Sequence, residues 1–301
     1  MSQLTEAALA GWTFPWWTGL SLLLTAALYL RGFMRVHPQM PGRFPLSGLA
    51  LYLAGIVTLA LALASPLVAL DDRLLLTHMI QHLLLLMIAP PLLLLGAPQI
   101  PIVRAIPPAL AKKTVGLVAK SRGGRRLFAG ATSPVTGLVL FSAVMLGWHL
   151  PGPFQAALRS NKWHTVEHGC MIAGGLLFWY PVIQPWPAAE RWSGWALVPY
   201  LLVADGANSV VAAFMVFTGR LLYPLYASLP PIEGISPIND QIIAGAMMWI
   251  PGSILFLLTA TAIVIRALMP HTLTQPGARS YTHDTGLVVT DEPAGLKLGR
   301  A

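Results

Sequence analysis

Seven stretches of this chain are each about as long and apolar as a helix must be, at about 20 residues, to cross the hydrocarbon core of a bilayer. They fall at 16–30, 46–70, 74–95, 134–150, 164–182, 194–217 and 241–268. No water-facing surface can be built around them. Only 10% of the 301 residues are charged and the mean hydropathy is +0.66, against about 25% charged in an ordinary soluble domain. The expected fold is therefore all-α: a polytopic membrane helix bundle of about seven transmembrane helices spanning residues 1–270, with a polar, disordered tail at 271–301.

Sidedness follows from the basic residues, because positive loops stay cytoplasmic. With the N-terminus outside, only Arg73, Arg159, Lys162 and Arg220 of the 19 Lys and Arg lie in outer segments. The prediction is an outer N-terminus and a cytoplasmic C-terminus, in a bacterial inner (plasma) membrane. The net charge of +8 is then a topology signal, and no nucleic-acid partner is needed to account for it. The first stretch is short, with Trp12, Phe14, Trp16 and Trp17 as its interfacial belt, and it lacks the positive lead and cleavage site of a signal peptide. The loop at 96–133 mixes Leu110, Val115, Leu117 and Val118 with Lys112, Lys113, Lys120 and Arg122. It is read either as a segment lying on the anionic inner leaflet or as a loop whose charges only fix topology.

Ionisable side chains are expensive in a bilayer and mark functional sites by default. Five of the eight histidines lie in or beside spans. His78 and His82 form an H-x3-H pair near the start of the third span, His149 closes the fourth, and His164 and His168 form a second pair opening the fifth. Alternating topology brings all five to the outer end of the bundle. Residues four apart on a helix share a face, about 6 Å from each other along the axis, so each pair presents two imidazoles together. The five could enclose a metal such as copper, zinc, iron or nickel; packing histidines or a proton relay are the alternatives. Met79, Met145, Met171, Met247 and Met248 near the same depth lean toward copper if any of them is a ligand rather than gap filler.

Glu167, beside His168, is read as an orienting or ligating carboxylate, or else as a first-turn acidic residue after a Ser160/Asn161 cap. Asp240 opens the seventh span behind a Ser236-Pro237 cap and could also serve the site. Asp205 and Asn208, mid-span, suggest a proton or ion relay, or a close helix contact with Asn208 and Ser209 as hydrogen-bonding partners. The single cysteine, Cys170, excludes an internal disulfide or thiol pair, and no P-loop, GxSxG elbow or dinucleotide fingerprint is present.

Four motif blocks carry a resemblance. His78-Met79-Ile80-Gln81-His82 is followed by Ala89-Pro90-Pro91-Leu92-Leu93-Leu94-Leu95-Gly96-Ala97-Pro98. Trp148-His149-Leu150-Pro151 precedes His164, Glu167-His168 and Phe178-Trp179-Tyr180-Pro181. Arg220-Leu221-Leu222-Tyr223-Pro224-Leu225-Tyr226 is the third block, and Asp240-Gln241, Ala244-Gly245, Met248-Trp249 and Pro251-Gly252 form the fourth. In this order, from about His78 to Gly252, the chain resembles the CtaG family of Bacillus-type cytochrome c oxidase assembly factors. The resemblance implies a multi-pass membrane protein, without turnover of its own, that helps copper reach a haem-copper cytochrome c oxidase. Its partners would be oxidase subunits or other oxidase assembly factors within the lipid bilayer. Two other functions fit the same histidines: a membrane haem b electron-transfer protein, and a metal or proton transporter.

Overall fold

The computed structural model describes residues 16–188, 192–228 and 234–269. The predicted tail at 271–301, and Trp12 and Phe14, lie outside the described residues. Within them every regular element is a helix.

In chain order these are α1 (Trp16–Val36), α2 (Leu46–Ala64), α3 (Pro66–Leu70), α4 (Leu75–Leu83), a π-helical turn (Leu84–Ile88) and α5 (Ala89–Leu95). Four short helices follow: α6 (Gln99–Ala105), α7 (Pro108–Lys113), α8 (Val115–Lys120) and α9 (Arg122–Ala131). Then come α10 (Pro134–Trp148), α11 (Pro151–Arg159), α12 (Asn161–Ile183), α13 (Gly194–Phe217), a 3₁₀ turn (Pro224–Ser228) and α14 (Pro237–Leu268). Six helical stretches are long and apolar enough to cross a membrane: α1, α2 with α3, α4 through α5, α12, α13 and α14. The fourth predicted span is shorter than expected. α10 has 15 residues, about 22 Å at 1.5 Å per residue, and reaches spanning length only with α9, from which it bends by 53°. Leu23, Val210, Phe217, Leu257 and Leu258 face outward, as lipid-facing residues do. The chain is a multi-pass membrane protein.

Local chemistry sets the breaks. At Ser65 the hydroxyl accepts from the Leu67 N–H and Pro66 takes the first position of α3, so α2 stops and restarts. In the third span Pro90 lacks an N–H and its ring crowds the carbonyl four residues earlier, that of Leu86; the widened π turn absorbs the conflict. Gly175 of α12 lies directly against that turn. A Cβ there would sit 2.5 Å from the Leu86 carbonyl oxygen and 2.6 Å from Pro90 Cγ. Gly175→Ala should therefore push α12 off the third span and destabilise the protein by about 1–3 kcal/mol, read as a lower melting temperature in detergent. A variant melting with the wild type would show that α12 can shift freely.

The third span is the centre of the bundle. Of its most apolar window 61% is buried, against 22–39% in the other five stretches. It packs on α2 and α14, while its π turn and α5 meet α12. Its ionisable residues, His78 and His82, are consequently almost wholly enclosed.

Candidate metal centre

α4 starts without a cap of its own, since Leu74 precedes it and offers no side-chain acceptor. Its first free N–H groups are taken up from far along the chain. Leu75 N and Leu76 N donate to the two carboxylate oxygens of Asp240, at 2.6 and 3.1 Å. Asp240 sits in the first turn of α14, behind Ser236, whose hydroxyl accepts from Asn239 N as expected of a cap. The structure thus places Asp240 at the origin of α4, engaged with backbone rather than with the histidines. One turn further on, His78 and His82 emerge on the same buried face. Gln81 between them turns to α2, donating to the Ala62 carbonyl at 3.0 Å.

α12 supplies the facing groups. It begins at Asn161, which puts Glu167 in the second turn and not the first, and Ser160 makes no side-chain cap bond. Glu167 is 0% exposed and lies between the two α4 histidines. Its Oε2 is 3.6 Å from His78 Nε2 and its Oε1 3.4 Å from His82 Nε2. His164 stacks on His78 with ring centroids 5.2 Å apart and stands 4.2 Å from His168. His164 Nε2 is also 3.8 Å from Oδ2 of Asp71, a buried residue of the turn between α3 and α4. Burial, helped by the adjacent Asp72 carboxylate, pushes the Asp71 carboxyl up to about 7, so its charged form gains from a nearby cation.

Buried polar atoms are ordinarily hydrogen-bonded, and each one left unmatched costs about 1–3 kcal/mol. Here Asp71 Oδ2, both nitrogens of His78, both oxygens of Glu167, and Nε2 of His82, His164 and His168 are buried without a hydrogen-bond partner. Two sets of three lie within 4.8 Å of one another: Asp71, His78 and His164; and His78, His82 and Glu167. Separations of 3.4 and 3.6 Å are long for hydrogen bonds. They match the spacing of about 3.3–3.4 Å between neighbouring donors on a tetrahedral ion with bonds of about 2.0–2.1 Å. The residues fit a cation.

His149 joins the cluster beside His82, with ring centroids 5.2 Å apart. Its Nδ1 lies 2.6 Å from the Met145 carbonyl, which can only accept, so Nδ1 carries the proton and Nε2 is left as an acceptor. That Nε2 lies 3.5 Å from His82 Nδ1, a long contact in which His82 is the group able to donate. His82 Nε2 then bears the lone pair, facing Glu167. With its Nδ1 proton held on a backbone carbonyl, His149 presents the Nε2 lone pair to this end of the cluster, the state in which an imidazole can orient a neighbour or ligate an ion itself. Tyr223 fixes it further by donating to the His149 carbonyl at 2.8 Å, and Tyr226 donates to the Asp71 carbonyl at 2.8 Å. The tyrosines of the third motif block thus tie the connection before α14 across this end of the bundle.

The methionines divide. Met79, Met145, Met171 and Met248 are buried and Met247 is half-buried. Met145 and Met248, with Met87 of the π turn, line a cavity of about 10 Å³ shared with His82 and Asn208. Met87 was not among the residues singled out from sequence, because it stands in an unbroken apolar run. Asp71 was missed too, since Asp71-Asp72-Arg73 reads as an ordinary hydrophilic turn; only its level beside His78 could have suggested it.

Asp205 and Asn208 have partners across the contact between α13 and α14. Ser253 Oγ donates to Asp205 at 2.7 Å, and Asn208, buried against Gly252, donates to the Met248 carbonyl at 3.2 Å. Asp205 is only partly buried.

A family model described as cytochrome c oxidase caa3 assembly factor matches residues 27–269, a range that includes every residue of the cluster. An uncharacterized protein of Mycobacterium leprae is 25% identical over 248 residues, covering 79% of this chain and 36% of the relative. The chain thus spans about a third of that relative's length. No solved structure matches.

Proposed function

Because the chain belongs to the cytochrome c oxidase caa3 assembly factor family, we propose that it binds copper at the His/Glu/Asp cluster and assists its delivery to the oxidase. The observation that carries this reading is Glu167 held between His78 and His82, with both carboxylate oxygens and the facing nitrogens lacking hydrogen-bond partners. Copper is cargo here and the protein has no turnover of its own. Imidazole and carboxylate donors suit a borderline divalent ion, and the thioethers of Met87, Met145 and Met248 beside His82 would suit Cu(I). The sidedness of the basic residues supports a cluster at the outer face of a bacterial plasma membrane. An oxidase subunit or another assembly factor would receive the ion there.

Packing favours an ion over haem. The imidazoles stand with centroids 4.2–5.2 Å apart along the chain of contacts from His168 through His164, His78 and His82 to His149, with no gap for a porphyrin. A transporter would need a polar path beyond the cluster, whereas Asp205 and Asn208 are taken up in helix contacts.

Metal analysis of the detergent-purified protein tests the proposal. The wild type should retain copper, and the double variant His78→Ala/Glu167→Gln less than about a tenth as much, since a lost ligand set weakens binding by more than the about 10–100-fold typical of an outer partner. Equal copper in the two would remove the site. A strong Soret band would replace copper by haem.

A further inference from the structure

The cluster has more ligands than a four-coordinate ion can take. Six side chains converge: Asp71, His78, His82, His164, Glu167 and His168. A four-coordinate ion would leave several of their buried atoms unmatched. His78 makes the mismatch specific. Both its ring nitrogens are buried without a partner, and the two nitrogens of one imidazole diverge too widely to bind the same ion. His78 also belongs to both three-residue sets, with Asp71 and His164 in one and with His82 and Glu167 in the other.

We propose that the cluster is a two-ion site in which the His78 imidazole bridges two copper ions, one held with Asp71 and His164 and the other with His82 and Glu167. This rests on the copper reading above and adds its stoichiometry and order. The two positions differ in access. The His164 side chain is 18% exposed, whereas His78, His82 and Glu167 are at 0–2%. An ion enters at the Asp71/His164 position and the His82/Glu167 position holds the enclosed one. Bridging requires both His78 nitrogens as donors, so the ring proton leaves to solvent as the second ion binds.

The test is copper stoichiometry of the full-length protein in detergent, loaded with Cu(II) sulfate and washed with a weak chelator. Wild type should retain two ions per chain. Asp71→Asn/His164→Ala and His82→Ala/Glu167→Gln should each retain one. One ion in the wild type overturns the two-ion site and leaves the copper reading standing; none removes both. If either double variant fails to fold, electron paramagnetic resonance of the loaded wild type decides alone. Two Cu(II) ions sharing an imidazolate couple antiferromagnetically, so the signal should account for well under half of the copper present. A signal accounting for all of it overturns the bridge.

Discussion

Cells whose sole copy carries Glu167→Ala are expected to keep the protein in the membrane at normal level and to lose at least about nine-tenths of their active cytochrome c oxidase. Glu167 faces both α4 histidines, at 3.4 and 3.6 Å, and it brings the negative charge that an ion between them needs. Removing it does not strand a Lys or Arg, because none among the described residues pairs with it. It also deletes two buried oxygens that lack hydrogen bonds, so the metal-free variant should melt no lower than the wild type beyond the penalty of the small cavity left behind. Function and stability are thereby separated. Glu167→Gln keeps the shape without the charge and should weaken copper affinity at the His82/Glu167 position by about 10–100-fold or more. Added copper in the medium should restore part of the oxidase activity in the Gln variant and little in the Ala variant. Normal oxidase activity in Glu167→Ala cells would sink the site, whatever the metal.

Much of this architecture was legible in the sequence because a bilayer simplifies the problem. Apolar length alone locates α1, α2, α12, α13 and α14, and the four-residue spacing of His78/His82 and His164/His168 fixes which pairs share a face. Alternating topology then brings the pairs to one end of the bundle. What local pattern could not supply was anything decided by a partner far along the chain. Asp240 looks like a first-turn residue of its own helix, but it bonds backbone 165 and 164 residues away. His149 looks like one more histidine of the cluster, but which of its nitrogens faces His82 is decided by the Met145 carbonyl, which holds the Nδ1 proton. Asp71 sits in a turn whose three charged residues would be unremarked in any loop. The shortening of α10 was invisible for a related reason: 134–150 is apolar enough, but its C-terminal end turns directly into α11 at Leu150-Pro151, where proline starts the next helix.

Asp240→Ala should unsettle the whole cluster without removing a single cluster residue. The variant leaves the Leu75 and Leu76 N–H groups without acceptors at a buried helix start, and each such group costs about 1–3 kcal/mol. No neighbouring cap can substitute, since Leu74 has no polar side chain. The first turn of α4 should therefore fray, and His78 stands just past it. The expected result is a melting temperature clearly below that of the wild type, with copper retained on ice and lost on mild warming, well before global unfolding. Asp240→Asn keeps an amide oxygen as acceptor and should recover most of the stability and the retention. That recovery distinguishes a positioning role from ligation: if Asp240 bound the ion, the loss of its charge in the Asn variant would weaken retention at every temperature. Should Asp240→Ala melt and hold copper like the wild type, the start of α4 would have to be held by packing against α2 and α14, and the long-range cap would have no part in placing His78.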